Sequence, residues 1–69
     1  MNRKPVTSSN IASIGYDDSS ETLEIEFKNG GIYQYFDVPQ RIYNEIMSAS
    51  SHGEYLAQNI KGHYRYSKV

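Results

Sequence analysis

Between residues 22 and 36 the chain alternates apolar and polar positions almost without a break. "TLEIEFK" sets Leu23, Ile25 and Phe27 on one side and Thr22, Glu24 and Glu26 on the other, the period of a half-buried β-strand. Glu24 and Glu26 are accordingly assigned to the solvent face. Upstream, "NIASIGYD" alternates more weakly, with Ala12, Ile14 and Tyr16 on one side and Ile11, Ser13 and Gly15 on the other. It predicts a first strand, which the polar cluster "DDSSE" ends. Residues 1–7 show no period and are expected to form a flexible N-terminal arm ahead of a single domain over residues 8–69.

Asn29-Gly30 lies between two alternating runs and predicts a hairpin. Its turn decides which way Tyr33 and Tyr35 face. A two-residue turn pairs Phe27 with Ile32 and puts Ile32, Gln34 and Phe36 on the core face. A three-residue turn, with Gly30 left-handed, slips the pairing by one and lays Tyr33 and Tyr35 beside Leu23 and Ile25. The first geometry buries the Gln34 amide among aliphatic side chains, which is costly without partners. The second leaves the tyrosine hydroxyls free to reach the sheet margin and is preferred on that ground, although both turns remain open.

From Val38 onward the period becomes helical. Val38, Ile42, Ile46 and Ala49 form an apolar stripe flanked by Tyr43 and Met47, while Arg41, Asn44, Glu45 and Ser48 take the other face. Pro39 suits the first helical position, and Asp37 puts a carboxylate near the positive end of the helix dipole. "SSHGEYLAQNIKG" predicts a second, short helix: Ser51 and Glu54 have capping-box spacing, Leu56 and Ile60 share a face, and Gly62 suits the stop. "HYRYSKV" closes the chain as an extended tail or an added edge strand. The order β-β-β-α-α, with or without that last strand, predicts an α+β domain: a small antiparallel sheet with both helices on one face.

A chain of 69 residues has room for one core, which at this size supplies roughly 3–5 kcal/mol of stability. It has no cysteine, so disulfides and thiolate metal sites are excluded, and a reducing, cytoplasmic setting is expected. No apolar run follows Arg3 and Lys4, so neither a signal peptide nor a membrane span is expected. A net charge of −1 excludes a strongly basic nucleic-acid binder of the histone kind. The charge is unevenly spread, however. Asp17, Asp18, Glu21, Glu24 and Glu26 crowd residues 17–26, whereas residues 55–69 hold Lys61, Arg65, Lys68 and His63 and no acid. Seven tyrosines stand against two phenylalanines and no tryptophan. A ring with a polar tip serves a thin core and a binding surface equally well.

Taken together, "SSNIASIGYD", "LEIEFKNGGIYQYFDVP" and "MSASSHGEYLAQNIKGHYRY" resemble the KTSC domain, from about Ser8 to Tyr66. The likeness rests on a central Tyr-x-Tyr at Tyr33 and Tyr35, followed by Val38-Pro39, Tyr43, Ala49, Ser51 and Gly53. That family is named for a domain at the C-terminus of some lysyl-tRNA synthetases and also occurs as free-standing small bacterial and phage proteins. The resemblance implies a shared fold; its synthetase association suggests RNA binding, and no catalytic residue carries over.

Catalysis is not expected. The serines sit in capping and turn contexts, and "NGG" lies between strands rather than ahead of a helix, where a phosphate loop would need it. His52, in the turn before the second helix, and His63, after the helix stop, lack cysteine or clustered carboxylate partners, so neither a metal nor a cofactor is expected. "KGHYRYSK" is the candidate binding segment. Tyr64 and Tyr66 would stack on bases while Lys61, Arg65 and Lys68, with His63 nearby, meet phosphates, and Arg41 would extend the patch. The plainer alternative folds Tyr64 and Tyr66 back onto the core and leaves the cations as a solvated rim. Tyr33 and Tyr35 are assigned first to the core, with stacking as their alternative. Two partner classes therefore stand: RNA or single-stranded nucleic acid, or a protein partner. The second includes self-association through an open sheet edge or an outer face carrying Ile32 and Phe36.

Overall fold

The alternating run of residues 22–36 becomes the middle of a five-stranded antiparallel sheet in the computed structural model, which describes residues 1–69. Strands β1 (Arg3–Pro5), β2 (Ile11–Asp17), β3 (Thr22–Phe27), β4 (Ile32–Tyr35) and β5 (Tyr66–Lys68) lie side by side in chain order. Helices α1 (Gln40–Ser48) and α2 (His52–Tyr55) connect β4 to β5, and α2 widens into a π-helical turn over Leu56–Ile60. No helix is long and apolar enough to cross a membrane. The fold class is α+β, as the order of elements predicts, with the C-terminal segment forming an edge strand.

The hairpin takes the three-residue turn. The Phe27 N–H donates to the Gly31 carbonyl at 2.8 Å and the Gly30 N–H to the Phe27 carbonyl at 2.9 Å, so residues 28–30 form the loop. Gly30 has φ of 98°, a conformation that costs glycine little because it has no Cβ. Leu23 then faces Tyr35, and Ile25 faces Tyr33. Gln34 is spared an aliphatic environment: on the outer face its amide donates to Glu24 at 2.8 Å.

Ile11, Ile14, Leu23, Ile25 and Tyr35 from the sheet meet Val38, Ile42 and Ile46 around α1 and Leu56 and Ile60 from the π-helical turn in one core. Both helical segments thus lie on the Leu23/Ile25 face. The Tyr16 and Tyr43 rings stack at 5.2 Å with 13° between planes. The Tyr16 hydroxyl donates to the Val38 carbonyl at 2.5 Å, fastening the start of α1 to β2. At the other junction, the Glu54 N–H donates to the Ser51 hydroxyl oxygen at 3.2 Å, the cap expected of that spacing.

Several details depart from simple alternation. A bulge between Ile11 and Ser13 turns Ile11 to the core beside Ile14, where strict period-two spacing would separate them. Pro39 stands one place ahead of the first helical position, with extended ψ of 152°, and accepts from the Ile42 N–H. Asp37 does not cap the helix but pairs with Arg65 at 2.8 Å.

Residues 1–7, expected to be a flexible arm, supply β1: Arg3, Lys4 and Pro5 pair with Gly15, Ile14 and Ser13. This strand is held by polar contacts rather than by apolar alternation. Arg3 reaches Glu24, donates to Ser13 at 3.0 Å and lies 3.8 Å from Glu26. Gly15 makes room for it, since a Cβ there would fall 2.8 Å from the Asn2 carbonyl oxygen. Proline is tolerated because β1 is an edge. Beneath this cover Glu24, assigned to solvent by its period, is only 6% exposed. The Gln34 amide is the main cause that holds its carboxyl below the ordinary range; burial opposes it, and the hydrogen bond and charge of Arg3 add to the lowering.

Candidate functional site

The helical layer covers β2, β3 and Tyr35 at the end of β4, and stops short of β5. Across one row of the inner face, Leu23, Tyr35 and Tyr66 are 0%, 4% and 63% exposed. Where cover runs out, a groove of about 760 Å³ opens. Its floor is aromatic. Phe27 meets Tyr33 edge-on at 5.6 Å, Tyr33 meets Tyr66 at 6.0 Å, and Tyr66 meets Tyr35 at 5.8 Å. Its rim is cationic: Lys28 and Lys61 line it, with the Lys61 ammonium 5.9 Å from the Phe27 ring centre, a cation–π distance. Past Tyr33 and Asn29 a smaller cavity of about 370 Å³ continues the groove to Lys68. No aspartate or glutamate lines either cavity.

Local sequence accounts for this arrangement. Phe27 pairs with Gly31, which offers no side chain to cover the ring. The π-helical turn closes with the Lys61 N–H donating to the Leu56 carbonyl at 2.9 Å, five residues back. Ile60 is buried, so Lys61 leaves the helical layer directly after a core anchor. In β5 the register sets Tyr66 against Tyr35 and Lys68 against Tyr33, which sends both side chains to the groove face.

Of the residues singled out by the sequence, Lys61, Tyr66 and Lys68 are brought together with Tyr33 and Tyr35. The others are not. Arg65 points to the outer face, where it donates to Asp37 at 2.8 Å and lies 5.8 Å over the Phe36 ring. Tyr64 is half-buried and packs on the core. Its neighbour Tyr55 donates to Glu45, and burial, followed by that bond, pushes the Tyr55 hydroxyl up to about 12. His63 is exposed and does not line the groove. Arg41 is tied to Glu45 at 2.9 Å along α1. His52 sits at the start of α2 with its Nδ1 2.7 Å from the Ile46 carbonyl. No group of three or more histidine and carboxylate side chains converges.

Phe27, Lys28, Asn10 and Asn29 line the groove without having been foreseen. Phe27 was legible as an inward residue, and its pairing with a glycine was the signal that it would be left partly bare. On the outer face Ile32 and Phe36 are each half-buried, next to the Arg3–Glu24–Gln34 network.

The KTSC domain profile matches residues 7–64. A KTSC domain protein from Yersinia pestis, known from its crystal structure, is 46% identical and superposes with a TM-score of 0.96 over 99% of this chain and 96% of its own. A protein of Stutzerimonas stutzeri strain A1501, described as uncharacterized, is 37% identical over 100% of this chain and 99% of its own. The lysine–tRNA ligase of Nostoc sp. strain PCC 7120 is 38% identical over 59 residues, which are 86% of this chain and 10% of the ligase. The chain is thus similar to a small part of that enzyme, and the likeness does not carry the enzyme's activity. With profile, relatives and fold in agreement, the chain belongs to the KTSC domain family.

Proposed function

We propose that the protein is a non-catalytic binding module whose lysine-rimmed aromatic groove takes single-stranded nucleic acid. One observation carries the reading: an open tyrosine floor is rimmed by three lysines, two along the main cavity and Lys68 along its continuation, with no aspartate or glutamate in either lining. Unpaired bases stack on exposed rings in a sequence-tolerant way, while ammonium groups meet the phosphates between them. A duplex hides its base faces and would not use the floor. A ligand with cationic groups would be repelled by the rim.

The net charge of −1 is no obstacle, because the acids are kept elsewhere. Asp17, Asp18 and Glu21 lie around the β2–β3 turn, at the far end of β3 from Lys28, and Glu24 and Glu26 are bound up with Arg3 on the other face. The likeness to a stretch of lysine–tRNA ligases, whose name gives tRNA as what they act on, points the same way. Stacking and ion pairing need neither metal nor cofactor, and a chain without cysteine suits a cytoplasmic setting.

Titration of a labelled single-stranded RNA pool at stepped salt tests the reading. Three lysines, each worth about 0.7 on single strands, predict a log–log salt slope near −2. Tyr66→Ala is expected to abolish most of the binding, since stacking contributes roughly 1–3 kcal/mol per base. No binding at tens of micromolar in low salt overturns the proposal. If self-association in sedimentation accompanies that result, the surface belongs to a second copy of the chain instead.

A further inference from the structure

The amide and ammonium side chains along the groove are one-sided in their hydrogen bonding. Asn29 accepts from the Gly31 N–H at 3.0 Å, and since that backbone group can only donate, the amide oxygen must face it. The Asn29 NH2 is therefore the free end. Asn10 accepts from the Ser8 hydroxyl at 3.3 Å through its amide oxygen, and its NH2 makes no hydrogen bond within the chain. Lys28, Lys61 and Lys68 can only donate. Hydroxyls apart, the side chains along the rim thus offer donors and nothing that accepts.

Resting on the nucleic-acid reading, we propose that the groove selects bases by the chemistry of their edge, taking keto bases (uracil, thymine, guanine) over amino bases (cytosine, adenine), with Asn29 and Asn10 as the specificity-determining residues. A keto oxygen accepts from either amide. At the edge where uracil carries O4 and cytosine an amino group, the amino group would set N–H against N–H and forgo the hydrogen bond, which is how a site built to hydrogen-bond one group disfavours another. Uracil and cytosine are the telling pair, because they match in size and differ mainly in this edge.

The test compares oligouridylate and oligocytidylate of about eight nucleotides at neutral pH. Wild-type protein is expected to favour uridine about three- to tenfold, less than a bidentate base contact would give. Asn29→Asp keeps an oxygen for the Gly31 N–H but replaces the donor with an acceptor. Its added charge weakens both oligomers, so the readout is their affinity ratio, expected to fall to about one or to invert. Should that variant fail to fold, the side-chain amide NMR signals of Asn29 and Asn10 in wild-type protein are expected to move with oligouridylate more than with oligocytidylate. Equal affinities, or a preference for cytidine, overturn the selectivity and leave nucleic-acid binding standing. A ratio unchanged in Asn29→Asp, or amide signals that stay put, overturns the role given to the amides. No binding to either oligomer overturns the underlying reading as well.

Discussion

Leu23 and Tyr66 stand in one cross-strand row of one sheet face, with Tyr35 between them, yet Leu23 is wholly buried and Tyr66 is 63% exposed. The register that turns all three inward is the same. What differs is the cover above them: α1 and the π-helical turn reach across β2, β3 and Tyr35 of β4, and leave β5 and the Tyr33 side of β4 open. A small domain cannot roof its whole sheet. The uncovered half is furnished with tyrosines, whose polar tips tolerate a half-wet site, and with lysines that lie beside the rings. One half of the face holds the fold together, and the other is left uncovered.

That division is broken most forcefully by mutation on its two sides. Ile25→Ala, at a fully buried position, is expected to cost about 3 kcal/mol in urea unfolding, much of what a domain of this size has. Tyr66→Ala is expected to change stability by no more than about 0.5 kcal/mol while removing most of the RNA affinity. Comparable losses of stability at both positions would erase the distinction.

The outer face gives the next largest effect. The folded Glu24 carboxyl titrates below its ordinary value of 4.5, so its ionised form contributes stability above that pH and loses it as pH falls through the folded value. Glu24→Gln is expected to cost about 2 kcal/mol at neutral pH, as for a buried charged hydrogen bond, and to flatten the decline below about pH 4.5. Urea unfolding at stepped pH measures both. Superimposable acid profiles would show that the Arg3–Glu24 pair does not hold β1. The smallest effect is at the turn, where Gly30→Ala is expected to cost about 1 kcal/mol through its positive φ alone, with the Ile25–Tyr33 pairing kept.

Period alone located β2, β3, β4 and both helical segments, because each carries an apolar face at its own spacing. It passed over β1, since Arg3–Pro5 is held by an arginine reaching two glutamates of β3, a bond between residues far apart in sequence. The bulge that brings Ile11 inside is invisible for a related reason: one extra residue leaves composition unchanged and alters only the facing. At the site, grouping residues 61–68 as one patch overlooked the alternation of an extended chain. Arg65 and Tyr66 are neighbours in sequence and lie on opposite faces of the sheet. Phe27, Lys28 and Asn29 join the groove only because β5 returns to pair with β4.

Whether the open half of the inner face is the binding surface can be asked residue by residue, by titrating isotopically labelled protein with single-stranded RNA at low salt and following its amide signals. The division drawn above predicts movement at residues 27–33, at Lys61 and Gly62 and at Tyr66 and Lys68, with Ser13, Glu24 and Gln34 on the outer face unmoved. Shifts centred on the outer face, or none anywhere at saturating RNA, would contradict it.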